Sequence, residues 1–147
     1  MGNNIIEKLS SHIFATGQMV RESVRAEMRH CHRVANYTIL HAETLRFIHS
    51  HKNATMRELA NFLHITPPSV TSLINHLIVD KLIARTADKH DRRIVRLVLT
   101  VKGKTLHAKR IKIVSRVMRK NLSALNITDQ KNLIKILDKI ATKINSK

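Results

Sequence analysis

A chain of 147 residues has material for one domain or two small intimate layers, and 43% apolar residues give it a core. That core is aliphatic, because aromatics are 3% and Trp is absent, and three Gly and two Pro leave little for turns, so a mostly helical protein is expected. The net charge of +17 points to a polyanionic partner, while a single Cys excludes an internal disulfide framework and fits a reducing compartment.

In chain order, residues 4–32 come first. Ile5, Leu9, Ile13, Val20, Val24, Met28 and Cys31 recur at spacings of three and four and predict a long amphipathic helix. A second helix fits 39–50, with Leu40, Leu45 and Ile48 inward. In "NATMRELANFLHI", Thr55 and Glu58 have the spacing of a capping box and start a helix to about Leu63. Thr66 is a good N-cap for the next helix. Pro67 sits at its first position, where a missing N–H costs nothing. That helix runs to about Asp80 with Val70, Leu73, Ile74, Leu77 and Ile78 on one face. "LIARTA" and "IVRLVLT" then read as strands joined by the charged tip "DKHDRR". Thr100 caps a long helix through about Leu122, and Thr128 is the expected cap of a last helix carrying Leu133, Leu137, Ile140 and Ile144.

The fold expected is therefore mainly α with a small β-hairpin wing. Residues 55–99 spell a winged helix–turn–helix between two flanking helical regions. The winged DNA-binding region is expected over 37–103, and a helical dimerisation region over 1–36 and 104–147, intertwined as one domain. Charge follows the same division. Residues 104–147 hold 12 Lys/Arg against 2 acids.

The ordered set of residues resembles the multiple antibiotic resistance regulator (MarR) family of bacterial transcription factors. It comprises Pro67, Val70, Thr71, Ile74 and Leu77, then Asp91 and Arg93 in the wing, then Leu99, Thr100 and Gly103. Two positions depart from the family pattern. Lys81 replaces a glycine before the first wing strand, at a cost of roughly 1 kcal/mol if the backbone there is left-handed. Ser72 and His76 stand where many members carry Arg or Lys.

The helix after Pro67 presents Thr66, Pro68, Ser69, Thr71, Ser72, Asn75 and His76 outward. These small hydrogen-bonding side chains suit a helix laid in the major groove of double-stranded DNA, with Asn75 matched to adenine. A short polar surface helix would look alike in isolation; the basic wing that follows favours DNA. Arg92 or Arg93 is expected in the minor groove, Asp91 to orient an arginine, and Arg85, Lys89 and Arg96 to meet phosphates. A solvated charged hairpin is the plainer alternative.

The stripes formed by Ile5, Leu9, Ile13, Ile113, Val117, Leu122, Leu133, Leu137, Ile140 and Ile144 exceed what one small lobe can cover. They imply a homodimer on a pseudo-palindromic operator, as the family resemblance does. The resemblance also implies a small-molecule effector. Cys31, His41, Glu43 and His107 form a weak candidate metal set, with no two of them at ligand spacing on one element, and Cys31 beside cationic neighbours is a weak redox candidate. No cofactor motif occurs. No run of about 18 apolar residues spans a membrane and no secretory signal is legible, so a cytoplasmic, nucleoid-associated protein is expected. An effector-independent architectural or RNA-binding winged helix is the rival reading, favoured by the basic C-terminal third. An enzyme is not expected, since no nucleophile–base order, phosphate loop or carboxylate pair is found.

Overall fold

The computed structural model describes residues 2–29, 38–52, 54–88, 91 and 94–146. The elements are α1 (Gly2–Arg29), α2 (Ile39–Ser50), α3 (Met56–Leu63), α4 (Pro67–Val79), β1 (Ile83–Ala87), β2 (Val95–Leu99), α5 (Val101–Leu122) and α6 (Ile127–Asn145). Two compact units divide the chain. One is Arg25–Lys112; the other combines Met1–Val24 with Ile113–Lys147, so the boundaries fall inside α1 and α5.

In Arg25–Lys112 the helix starts are set locally. Thr55 accepts from the Glu58 amide while the Glu58 carboxylate accepts from Thr55 N at 2.8 Å, the expected capping box of α3. Thr38 and His41 form a second box at α2, with His41 Nδ1 accepting from Thr38 N at 3.1 Å. Leu59, Ile74, Leu77 and Leu82 are fully buried with Ile83 and Leu97, at the meeting of α2, α3, α4 and the hairpin. Each such side chain contributes about 1.5–3 kcal/mol relative to exposure. Leu40, expected inward, is 38% exposed, because α2 turns Ala42, Thr44, Leu45, Phe47 and Ile48 to the core instead.

Both turns flanking α4 end the preceding helix with a non-glycine residue in the left-handed region, His64 at φ 51° and Lys81 at φ 58°. Lys81 N donates to Ile78 O and Leu82 N to Leu77 O, the two bonds that close a helix C-terminus of this kind. Lys81 therefore occupies the strained backbone that its place in the sequence implied.

The strands pair antiparallel, with Ile83 opposite Leu99, Arg85 opposite Leu97 and Ala87 opposite Val95. The hairpin is rooted beyond its own ladder. Leu97 N donates to Ala54 O at 2.8 Å, and Thr55 bridges to Arg96 just before α3. At the other end, Thr100 caps α5 by accepting from Gly103 N at 3.0 Å, and its hydroxyl donates to Lys81 O at 2.7 Å. A Cβ on Gly103 would lie 2.1 Å from Leu82 O, so only glycine lets the first turn of α5 approach this carbonyl.

The unit of Met1–Val24 with Ile113–Lys147 is of another kind. No described residue of α6 is buried. Ile5, Leu9 and Ile13 of α1, and Leu137, Ile140 and Ile144 of α6, all stand open; Leu122 is marginally exposed and Leu133 half-buried. Ile113 and Val117, placed in the same stripe by sequence, are each only 4% exposed, so they are already covered within one chain. The cap of α6 is Asn126, not Thr128: its side chain accepts from Asp129 N at 2.9 Å, which starts the helix two residues earlier. Among the described residues no helix is long and apolar enough to cross a membrane.

Candidate nucleic-acid interface

The site is built on α4. Val70, Leu73, Ile74 and Leu77 anchor one face in the core, which leaves Thr66, Pro68, Ser69, Thr71, Ser72, Asn75 and His76 all exposed on the other. Thr66 has N-cap backbone geometry, but its hydroxyl does not cap the helix; it lies 2.9 Å from Ser69 Oγ. Because Pro67 and Pro68 carry no N–H, Ser69 supplies the one amide of the first three helical positions, fewer donors for a phosphate than an ordinary helix N-terminus offers. Thr71 donates to Pro67 O at 3.0 Å, leaving its oxygen outward as an acceptor.

Asn75 and Arg85 meet. The Arg85 guanidinium donates to Asn75 Oδ1 at 2.9 Å across ten residues of sequence. The strand's period of two puts Arg85 on the face of Ile83, opposite buried Leu97, and β1 packs against α4. Asn75, expected to suit adenine, and Arg85, expected at a phosphate, are thus brought together as a hydrogen-bonded pair. An arginine at an inward-phase position of "IARTA" was the available sequence signal, and it was missed.

In the wing, among the described residues, an arginine is held by Asp88, which the sequence reading did not single out. Its Oδ2 accepts from Arg96 Nε at 2.7 Å and its Oδ1 from Asp91 N at 3.1 Å. Thr86 is paired with Arg96, so Asp88 lies diagonally across the ladder on the same face. The Arg96 side chain is 22% exposed, so it braces the hairpin more than it offers charge outward. Asp91 is exposed, and its carbonyl accepts from Ile94 N at the tip. Lys89, Arg92 and Arg93, expected at the DNA, lie outside the described residues.

Three of the four residues weighed as metal ligands have other partners. Cys31 lies outside the described residues. His41 caps α2, Glu43 pairs with Arg46 at 2.7 Å, and buried His107 packs its ring on His49 with centroids 4.7 Å apart. Among the described residues no three His, Cys, Asp or Glu gather as a metal site would require. Burial lowers the His107 pKa, helped by His49 and Arg110, and burial followed by His76 lowers that of His41.

A polar-faced helix seated by its apolar side beside a braced antiparallel hairpin defines a winged helix–turn–helix DNA-binding protein. The MarR family model matches residues 35–94, and over that part the chain is similar to this family of DNA-binding transcription regulators. It is 25% identical over 97 residues to YwhA, an uncharacterized HTH-type transcriptional regulator of Bacillus subtilis (strain 168), covering 66% of this chain and 70% of that one. The fold is that of a MarR family protein from Bacillus stearothermophilus, at 18% identity, TM-score 0.86 and 99% coverage of both chains. It is also that of Staphylococcus aureus MepR bound to ethidium bromide, at 21% identity and TM-score 0.68, covering 92% of this chain and 95% of that one.

Proposed function

We propose that this regulator is a ligand-responsive repressor that binds a pseudo-palindromic operator as a homodimer. The observation that carries the DNA contact is the outer face of α4, exposed from Thr66 to His76 and free of formal charge at neutral pH in a chain of net charge +17. Small side chains let the backbone approach base edges, while the wing, whose sequence carries Arg92 and Arg93, reaches the adjacent minor groove. Homodimer assembly rests on the exposed stripes of α1 and α6, which one chain leaves uncovered. Two copies related by a two-fold axis set their α4 helices about one DNA turn, roughly 34 Å, apart. Control by a small organic ligand is supported by the likeness to MepR, whose structure holds ethidium. The reading also includes a cytoplasmic location and no catalytic role.

The test is selection of bound fragments from genomic DNA by the purified protein, repeated with ethidium-like and salicylate-like compounds, Zn²⁺ and peroxide. The expected result is a two-fold-related motif preferred over random duplex by on the order of 10³ or more at physiological salt, and released by one of the organic compounds. Equal affinity for every duplex would favour the architectural reading that the basic C-terminal third supports.

A further inference from the structure

The outer face of α4 lacks a cation, yet the structure brings one to it from outside the helix. Arg85 stands on β1 at a position where the strand's alternation directs it toward α4, and its guanidinium bonds Asn75 Oδ1 at 2.9 Å. A guanidinium only donates, so the atom facing it is fixed as the amide oxygen, and the Asn75 NH₂ points elsewhere. One guanidinium N–H is used on Asn75, which leaves four donors on Arg85 and two on Asn75. Both residues are exposed. The pair presents a donor-rich edge beside Thr71 and Ser72, one helical turn back on the same face.

We propose that Arg85 is a specificity-determining residue, anchored by Asn75, and that the two together read guanine in the major groove. Guanine is the base that offers two acceptors, N7 and O6, to a forked donor. Adenine places a donor, N6–H₂, against the same edge, so this pair disfavours it. The guanidinium missing from the helix positions Ser72 and His76 is thus supplied by the neighbouring strand, and Asn75 has the role of positioning residue. A phosphate contact by Arg85 is the competing assignment, and it predicts no base preference.

This inference rests on the DNA-reading role of α4, and the experiment separates the two. The wild-type protein, Arg85→Lys, Arg85→Ala and Asn75→Ala are each run through selection on a randomised duplex library, with circular dichroism melts to check the fold. The wild type is expected to select G·C at one base pair of each half-site. Arg85→Lys keeps the charge but loses the fork, so it should lose that preference by on the order of 10- to 100-fold while random-duplex affinity holds. Asn75→Ala should relax the same base pair and no other. The proposal is overturned if Arg85→Ala weakens all sequences equally and lowers the salt slope by about 1, the mark of a phosphate contact. It is equally overturned if the two residues govern different base pairs, or if the selected base is adenine. A wild type with no sequence preference would remove the operator reading itself and this inference with it.

Discussion

The winged unit and the helical unit draw on the same residue types with opposite results. In Arg25–Lys112, Leu59, Val70, Ile74, Leu77 and Leu82 have no exposed surface, and α2, α3, α4, β1 and β2 each touch the next. In α6, Ile134, Ile136, Leu137, Ile140 and Ile144 all remain more than 40% exposed. The first region closes its core from one chain. The second leaves its apolar side chains open, and under the proposed homodimer its stability should depend on protein concentration where that of the first does not.

The largest expected effect tests that contrast at its closed end. Leu59→Ala should cost about 2–5 kcal/mol in chemical denaturation, by the same amount at every protein concentration. At the open end, Leu137→Asp should leave the winged unit folded, sediment as a single chain and weaken operator binding on the order of 100-fold, since the second half-site no longer engages in the same molecule. A variant that still sediments as a dimer would take α6 out of the interface. Gly103→Ala is expected to cost about 1–3 kcal/mol, because its methyl overlaps Leu82 O at 2.1 Å and that oxygen belongs to backbone. Lys81→Gly should raise stability by about 1 kcal/mol by relieving a left-handed residue, an effect read as a small rise in denaturation midpoint. The smallest effect is in pH. The buried His107 imidazole titrates below its ordinary 6.5 in the folded chain. The unfolded chain therefore takes up the proton first, so stability is complete above about pH 6.5 and falls away as pH drops through the lower folded value. His107→Gln should shallow that acid-side decline without abolishing it, because His41 shifts in the same direction.

What was legible in the sequence was what is decided within a few residues. Thr55 with Glu58, Pro67 after Thr66 and the limits of α5 all follow from caps and periodicity, and the structure has them where the spacing puts them. The cap of α6 failed on the same local ground. "NITDQ" offers two good caps, and the structure uses Asn126, whose side-chain oxygen accepts from the backbone N of Asp129. The phase of Arg85 in its strand was legible, but the partners in the Arg85–Asn75 and Asp88–Arg96 pairs were not, since both depend on how a strand meets its neighbour. The histidines misled for a related reason. A residue type that suits a metal also suits a helix start, as at His41, or a ring stack, as at His107.

The bare α-carbon at position 103 has a mechanical consequence. Where the long helix begins, nothing softer than a hydrogen atom separates it from the carbonyl that precedes the finger. Such a joint has no slack. Tilt the first turn of the helix by a fraction of an ångström, and the base of the finger must travel with it, carrying along the arginine that leans on Asn75.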